Sequence, residues 1–312
     1  MVGKLTSNDK ASCSQVATIM GFNKYKSPNE QLLETLSYID GEPKKNIQSR
    51  IMRAGDFLEP ALIAEAAREL GFTDVTANIE TKVVHPLLPL EGSLDGIATF
   101  NEDVTQTEEF GIYCPEGPVI CEGSGVLEVK ATSVHPEDEL LPSRGVLQAK
   151  ALMECTGLNW CCIIVLYQSV YLRYFFYQKD NSFAKDLEFA IIDFQERVDN
   201  REMYPPQDGK DVSLLFPEVE SQEAIDLEEQ AIHEINMINN AKEFITYWQD
   251  EKDRSETKLK NMMGVNQHGV IDNYQLTWGM RNYKAQPEKI IEAKEPRSIR
   301  GPLQIKEIKN EA

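Results

Sequence analysis

The chain has 312 residues, of which 41% are hydrophobic and 27% charged. This composition is typical of a soluble globular protein with one large domain, or one domain and an appendage. No apolar run is as long as a membrane span, and the first residues lack the apolar core of a signal peptide. We therefore expect a cytoplasmic protein without a membrane partner. The net charge of −19 alone argues against binding to nucleic acid.

The acidic charge is concentrated in two segments, which weakens that objection. Residues 180–251 hold 19 acidic and 5 basic residues, and residues 101–125 hold six acidic and no basic residues. Residues 1–60 and 281–312 each have a small excess of basic residues. A local basic surface is therefore compatible with the overall charge.

The N-terminal part of the chain is predicted to be helical. Residues 12–21 form a short helix, and Pro28 begins a second one. A longer helix runs from about residue 47 to residue 70, because its apolar residues recur at helical spacing. Pro60 in this helix predicts either a kink or a helix start.

Strands are predicted from residue 75 onward. The segments 75–85, 92–100 and 125–132 are rich in β-branched residues and bounded by glycine and proline. The acidic stretch 101–124 between the last two is interpreted as a hairpin arm or a surface insertion. A helix over 142–156, a strand pair over 160–168 and 171–178, and a helix over 183–201 follow.

The character of the chain changes after Tyr204. Residues 220–262 are predicted to form a long charged helix, and residues 264–283 alternate in the manner of a hairpin. These differences place a domain boundary near residues 205–218, giving domains 1–204 and 205–312.

Several kinds of chemistry are disfavoured by the residues. The six cysteines form no C-x-x-C pair, so buried reduced thiols are the favoured interpretation. No histidine has a serine or cysteine partner at a recognisable spacing. A phosphate-binding G-x-x-x-x-G-K-[ST] loop is absent as well, which argues against an ATP-driven motor.

An acidic residue and a lysine stand two positions apart in the apolar run 126–131. Side chains alternate along a strand, so Glu128 and Lys130 lie on one face and Val129 on the other. Asp95 stands where another predicted strand meets a turn at Gly96. Two carboxylates can hold a hard divalent cation, and a lysine can steady a water or a developing charge beside it. The pattern therefore predicts metal-dependent phosphodiester hydrolysis.

Each of these residues also has a purely structural interpretation. Asp95 alone would be a turn former before Gly96, and Lys130 could simply pair with Glu128. The apolar neighbours of Glu128 indicate a buried strand, where an unpaired carboxylate would be costly. This burial favours the metal site.

The order of these elements and motifs resembles the PD-(D/E)XK nuclease superfamily, and within it the YqaJ-type, lambda-exonuclease-like viral recombination nucleases. Residues 14–21 and 25–28 are similar to the serine motif of that family, and residues 55–60 to its G-x-x-x-E-P helix motif. Residues 95–96 and 127–130 supply the acidic and E-x-K motifs, and the segment from 148 to 157 corresponds to its glutamine motif. The segment 258–284 resembles a C-terminal extension found in phage members.

The resemblance implies an α/β fold with a restriction-endonuclease-like core, in which helices flank a central mixed β-sheet. Residues 1–204 would form the exonuclease domain, with 101–124 as its acidic insertion. Residues 205–312 would form a C-terminal extension made of a long helix and a hairpin.

The resemblance also assigns roles to individual residues. Asp95, Glu128 and the backbone carbonyl of Val129 would hold Mg²⁺, or Mn²⁺ in its place. Glu59 would help to hold a second ion, or it is an exposed helix carboxylate. Lys130 would orient the attacking water and stabilise charge in the transition state.

Two positions depart from the family pattern. Gln148 is a candidate for positioning the phosphate or the water. The second family glutamine is replaced by Lys150, so either Lys150 contacts phosphate in its place or that role is lost. Ser14 resembles the serine that receives the 5′-phosphate, and it could equally be a plain helix cap. The arginine expected at position 7 is Ser7 here, and we name Lys10, Arg50 and Arg53 as replacements for its positive charge.

The implied function is a Mg²⁺-dependent exonuclease that degrades one strand of linear double-stranded DNA from 5′ to 3′. It would leave a 3′ single-stranded tail for a single-strand annealing protein in phage-type recombination, in the cytoplasm of a host cell. Relatives of this kind form rings such as trimers, so we expect a homo-oligomer. An iron–sulfur cluster is not expected, because no cysteine follows Cys162. The alternatives are another DNA nuclease of this fold, or an inactive member that binds DNA or a partner.

Overall fold

A computed structural model of the chain describes residues 6–7, 9–42, 50–218, 224–272 and 274–280, with the backbone alone for residues 50–54 and 56. Its helices are α1 (Val16–Ile19), α2 (Pro28–Ile39), α3 (Arg50–Leu70), α4 (Leu147–Thr156), α5 (Asn181–Asn200), α6 (Gly209–Leu215) and α7 (Gln230–Met263). Its strands are β1 (Ala11–Ser12), β2 (Thr73–Ala77), β3 (Val83–Val84), β4 (Leu90–Gly92), β5 (Gly96–Thr99), β6 (Asp103–Val104), β7 (Ile112–Tyr113), β8 (Val119–Ile120), β9 (Ser124–Thr132), β10 (Trp160–Tyr167), β11 (Tyr171–Gln178), β12 (His268–Ile271) and β13 (Tyr274–Thr277).

A six-stranded mixed sheet forms the centre of the N-terminal part of the chain, in the order β2-β5-β9-β10-β11-β7. Strands β9 and β10 are parallel, whereas β5 is antiparallel to β9 and β11 is antiparallel to β10. A smaller sheet has the order β1-β4-β3. The predicted α/β fold with a central mixed sheet flanked by helices is confirmed.

The two faces of the large sheet are covered by different helices. One cluster of buried side chains joins β9 to α3 through Leu127 and Ile63. The other joins Val126 and Ile163 to α4 and α5. Strand β9 has buried apolar side chains on both faces, as expected for a central strand that is covered on both sides.

A close contact between backbone and ring fixes one end of β9. The indole of Trp160 lies against Gly125, where any Cβ would overlap the ring. Trp160 is fully buried and packs against Phe72 and Phe176 at centroid distances of 5.8 and 6.3 Å. This cluster holds the beginning of β9 and of β10 next to the end of α3.

The acidic insertion is an ordered part of this fold. Strands β6 and β8 pair with each other, in agreement with a hairpin, and β7 between them joins the edge of the large sheet beside β11. Strand β7 could not be predicted from the sequence, because two residues are too few to show an alternating pattern.

Two predicted strands are broken in the structure. The segment 75–85 is divided between β2 in the large sheet and β3 in the small one, and the segment 92–100 is divided between β4 and β5. A chain that passes from one sheet to the other must give up its backbone hydrogen bonds to the first sheet, and this interrupts the strand. A continuous apolar segment of the sequence therefore did not form one continuous strand. Helix α3 continues through Pro60, so the helix start predicted there is wrong.

The chain forms two compact units, Met1–Phe216 and Pro217–Ala312. Residues 205–216 belong to the first unit, because α6 packs on α2 and Asp211 accepts a hydrogen bond from Ser27 Oγ (2.5 Å). The second unit contains α7 and the hairpin of β12 and β13. Within the described ranges, no helix has both the length and the apolarity needed to cross a bilayer.

Candidate active site

The pairing of β5 with β9 brings the predicted acidic residues together. Gly96 lies opposite Leu127 in this antiparallel ladder, so Asp95 lies next to Glu128 at the end of β5. The backbone N–H of Val129 donates to Asp95 Oδ2 (2.8 Å), which fixes the carboxylate against β9. The break between β4 and β5 thus places Asp95 at the sheet end where Glu128 and Lys130 also lie.

Glu128 is a buried carboxylate whose two oxygens have different surroundings. The side chain is fully buried; Oε1 pairs with the Lys130 ammonium, and Oε2 has no hydrogen-bond partner among the described residues. Burial and the charge of Asp95 raise the pKa of Glu128 to about 8, although the Lys130 ammonium opposes both effects. Ionisation of Glu128 is therefore unfavourable without a positive charge in addition to the Lys130 ammonium.

Lys130 is positioned by groups on two sides. Its ammonium donates to Gln148 Oε1 (3.2 Å) on α4 as well as to Glu128. Burial acts to lower the pKa of Lys130, but the carboxylates of Glu128 and Asp95 outweigh it and raise the pKa above its usual value. The ammonium is therefore charged at neutral pH.

Gly145 provides the space for this lysine. It precedes α4 with φ of +91°, a left-handed conformation that glycine tolerates best, and a Cβ there would lie 3.1 Å from Lys130 Cε. The turn before α4 thus lets the backbone approach the lysine stem closely.

Glu59 reaches the same cluster from α3. It is half-buried, and its charge raises the pKa values of both Glu128 and Lys130. The structure therefore brings Asp95, Glu128, Lys130 and Gln148 together, with Glu59 close enough to act on two of them.

The residues present fit a divalent cation. Across the described part of the chain, no three histidine, cysteine or acidic side chains gather as a complete set of metal ligands. The candidate set is instead Asp95, Glu128 and the carbonyl of Val129, with water for the remaining positions. The unpartnered Oε2 of Glu128 fits this set, because a buried carboxylate oxygen without a hydrogen bond is costly unless a cation balances it.

Residues 11–15, which we call the serine segment, begin with the edge strand of the small sheet. Ser14 is exposed, and its hydroxyl lies 3.1 Å from Ser12 Oγ. The backbone N–H of Ser12 donates to Gln15 Oε1 (2.9 Å), which forms the start of the first helical turn. An exposed hydroxyl beside a helix start suits both a phosphate contact and a cap.

The candidate positive charges have different surroundings. Lys10 is exposed immediately before β1. Arg50 and Arg53 lie on α3, but their side chains lie outside the described part of the structure. Their proposed role therefore stays a prediction.

Lys150 lies away from the catalytic cluster. It follows Gln148 by two residues on α4, a step of about 200° around the helix. Its side chain is buried, and its ammonium contacts both carboxylate oxygens of Glu116 (2.7 and 2.8 Å) and the face of Tyr177. Glu116 comes from the acidic insertion, so Lys150 joins that insertion to α4 by an ion pair. Its contact with phosphate stays a prediction.

An ion pair near the serine segment, between Lys82 and Glu91, could not be predicted from the sequence. Glu91 on β4 is buried, lies beside Ser12 in the ladder with β1, and accepts from Lys82 Nζ (2.7 Å). The backbone N–H of Ser7 also donates to Glu91. No local pattern links these residues, because the contact depends on the small sheet.

The thiols of Cys13 and Cys155 lie close together next to the serine segment. Cys13 Sγ lies 3.6 Å from Cys155 Sγ, which joins the first helical turn to the end of α4. The hydrogen bond with Cys155 and burial raise the pKa of Cys13, so its thiol is protonated at neutral pH. This contact supports packing of the serine segment on α4.

Several solved structures are similar to this chain. LHK-Exo, an alkaline exonuclease from Laribacter hongkongensis, aligns with a TM-score of 0.44 and 20% identity over 62% of this chain and 90% of its own. The same enzyme in complex with dAMP gives a TM-score of 0.45 and 18% identity over the same shares. A phage-related exonuclease from Haemophilus somnus 129PT gives 0.44 and 12% identity over 62% and 94%. No protein-family model and no curated protein matches the sequence.

Proposed function

We propose that this chain is a metal-dependent exonuclease that degrades one strand of linear double-stranded DNA from the 5′ end. The observation that carries the proposal is the convergence of Asp95, Glu128 and Lys130 at one end of the sheet, where one buried oxygen of Glu128 accepts no hydrogen bond from any described residue. This arrangement provides negative charge for a cation and a fixed ammonium beside it. The direction of digestion rests on the resemblance to the lambda-exonuclease-like nucleases and not on the geometry of the cluster.

Each residue of the cluster has a distinct task in this proposal. Asp95, Glu128 and the carbonyl of Val129 hold Mg²⁺, with Mn²⁺ as a substitute and Glu59 near a second ion. When bound, the metal lowers the pKa of coordinated water and neutralises charge on the phosphate. Lys130 donates hydrogen bonds to the attacking water and to the developing negative charge, and Gln148 orients the ammonium.

The serine segment is proposed to contact the 5′ end of the substrate. Ser14 is exposed and can donate to a phosphate oxygen, and Lys10 lies four residues before it. The 3′ single-stranded tail would then pass to a single-strand annealing protein. A homo-oligomeric ring around the duplex, such as a trimer, would keep the enzyme on its substrate.

Digestion of linear duplex DNA tests the proposal directly. Substrates with and without a 5′-phosphate, and covalently closed circles, are incubated with Mg²⁺, Mn²⁺ or EDTA. We expect digestion of linear DNA from the 5′ end that stops in EDTA, and no cleavage of closed circles. Cleavage of circles would identify an endonuclease, and binding without cleavage would identify an inactive member.

Matched lysine variants separate the chemistry from the fold. Lys130→Ala should lower the rate at least about 100-fold, because the ammonium is lost beside the developing charge. Lys185→Ala, at an exposed position of α5, should keep the wild-type rate. Equal rates for wild type and Lys130→Ala, with both proteins folded by circular dichroism, would contradict the assignment.

A further inference from the structure

The long helix α7 has large exposed apolar side chains. Ile245 and Trp248, near its middle, are 69% and 64% exposed, and Leu259 and Met262 are exposed near its end. Large exposed apolar patches on a soluble protein mark interaction surfaces. The helix has 34 residues, so the surface is about 51 Å long.

Ten positions along α7 form one stripe, which we call the α7 stripe. Its members are Ala231, Ile235, Ile238, Ala241, Ile245, Trp248, Lys252, Ser255, Leu259 and Met262. They recur every three or four residues, with a mean spacing close to 3.5, which is the repeat of a left-handed two-helix coiled coil. All except Lys252 and Ser255 are apolar, so the stripe suits a partner helix.

We propose that α7 pairs with α7 of a second copy of this chain, in an antiparallel two-helix coiled coil whose twofold axis passes between Ile245 and Trp248. The proposal concerns the C-terminal unit and does not depend on the catalytic function of the first unit.

The α7 stripe is nearly symmetric about its centre. Its residues lie at the same distances along the helix from either end, to within one residue. Antiparallel pairing therefore aligns all ten positions at once. The layers are Ala231 with the second copy's Met262, Ile235 with its Leu259, Ile238 with its Ser255, Ala241 with its Lys252, and Ile245 with its Trp248. In four of the five layers a smaller side chain faces a larger one, as close packing of a core requires.

Parallel pairing of the same helix would be unfavourable. It would place Trp248 against the second copy's Trp248 and Lys252 against the second copy's Lys252. Two ammonium groups would then face each other in one layer, and alanines would face alanines and leave gaps. In the antiparallel arrangement the stem of Lys252 packs over Ala241, and its ammonium extends to solvent, near its own Glu256 (3.4 Å).

The charges at the two ends of α7 favour the same orientation. Glu228 and Glu229 immediately precede the helix and Glu234 lies in its second turn, whereas Lys258 and Lys260 lie near its end. Antiparallel pairing brings the acidic end of each helix beside the basic end of the other. Opposed helix dipoles contribute in the same direction.

The available area is sufficient for a specific pair. A strip about 10 Å wide along a helix of about 51 Å covers about 500 Å² on each copy, or about 1,000 Å² for the pair. This total reaches the lower range of specific protein interfaces.

Sedimentation velocity and light scattering of the full chain test the pairing. We expect association at micromolar concentration, and a dissociation constant raised at least about 100-fold by Ile245→Glu or Trp248→Glu, because the central layer would then bury carboxylates. Asn236→Glu introduces the same charge on the opposite side of α7 and should leave association unchanged. Circular dichroism of each variant checks that the helix persists.

A zero-length carbodiimide cross-link tests the orientation. Glu234 and Lys260 are about 39 Å apart along one helix, so a direct bond between them can form only between two copies. We expect cross-linked peptides that join Glu234 to Lys258 or Lys260 in wild type and their loss in Ile245→Glu.

Three results would overturn the proposal. The first is a monomer at all concentrations up to about 100 μM. The second is association that Ile245→Glu and Trp248→Glu do not weaken, and the third is a stable dimer without the Glu234 cross-links. Loss of DNA binding without a change in mass, in the Ile245→Glu variant, would instead identify the stripe as a nucleic-acid contact.

Discussion

Lys150 and Glu116 form an ion pair that joins α4 to the acidic insertion. Lys150 is buried, but the Glu116 side chain is about half exposed. The two partners therefore lose different amounts of hydration in the folded protein. The ion pair satisfies a lysine that could not otherwise be buried.

Removing either partner should have unequal effects on stability. Glu116→Gln leaves the Lys150 ammonium buried without a counter-charge, so we expect a loss of about 2 kcal/mol in the free energy of unfolding. Lys150→Met removes the buried charge and keeps the volume, so its cost should be below about 1 kcal/mol. Urea denaturation measures both, and the exposed Glu122→Gln on the same insertion is the control. A greater cost for Lys150→Met would contradict the burial argument.

Gly145 controls the position of the catalytic lysine candidate. Gly145→Ala would place a methyl group 3.1 Å from Lys130 Cε and force an alanine to adopt φ of +91°. We expect nuclease activity to fall about 10- to 100-fold, since the ammonium would be displaced. Gly157→Ala imposes a similar left-handed strain with no atom within 4 Å of the new Cβ, so it should lose stability but keep activity per folded molecule. Equal activity losses in both variants would contradict a specific role for Gly145.

Contacts between side chains that are close in sequence could be predicted, whereas contacts formed by the folded sheets could not. The E-x-K spacing on one strand predicted the shared face of Glu128 and Lys130, because strand alternation is a local rule. Asp95 followed from its turn before Gly96. The partners of Lys150 and Lys82 could not be predicted, since Glu116 and Glu91 approach them only through the folded sheets.

At the scale of elements, the short helix α6 is attached to the N-terminal part of the fold by one carboxylate. Asp211 is fully buried and accepts hydrogen bonds from Ser27 Oγ (2.5 Å) and the backbone N–H of Gln207 (3.0 Å). Burial acts to raise the pKa of Asp211, but the hydrogen bonds from Ser27, Gln207 and Asn29 outweigh it and lower the pKa.

The lowered pKa of Asp211 predicts a dependence of stability on pH. A carboxyl with a lower pKa in the folded state stabilises the protein fully above its unfolded pKa of about 3.9, and this contribution is lost as the pH falls through the folded value. Asp211→Asn should cost about 1–3 kcal/mol at pH 7 and much less at pH 3. Urea denaturation at both pH values, with the exposed Asp186→Asn as control, measures the difference. A cost that is independent of pH would exclude the charged hydrogen bonds as its cause.

Element prediction succeeded where a long pattern existed. The helix 183–201 and the strand pair 160–168 and 171–178 correspond to α5, β10 and β11 within three residues. It failed for β1 and β7, which have two residues each and pair with the edge of a neighbouring strand. A two-residue strand has no periodicity to detect.

At the scale of the whole molecule, the boundary between the two units has a direct test. A chain that ends at Phe216 keeps α6 and the Asp211 contacts, whereas a chain that ends at Tyr204 loses them. We expect the first to unfold near the temperature of the full chain and the second to unfold about 4–8 °C lower, for a loss of about 2 kcal/mol. Differential scanning calorimetry measures both, and equal temperatures would contradict a structural role for residues 205–216.

The two units also differ in the environment of their tryptophans, with a practical consequence for spectroscopy. Trp160 lies in the ring cluster beside Gly125, and its indole N–H has no hydrogen-bond partner in the described part of the chain. Trp248 and Trp278, the other two tryptophans of the chain, are exposed in the C-terminal unit. Trp160 should therefore emit at short wavelength and resist iodide quenching, whereas Trp278, and Trp248 when α7 is unpaired, should emit at longer wavelength and be quenched. One fluorescence spectrum can thus follow the sheet core and the C-terminal unit as separate signals.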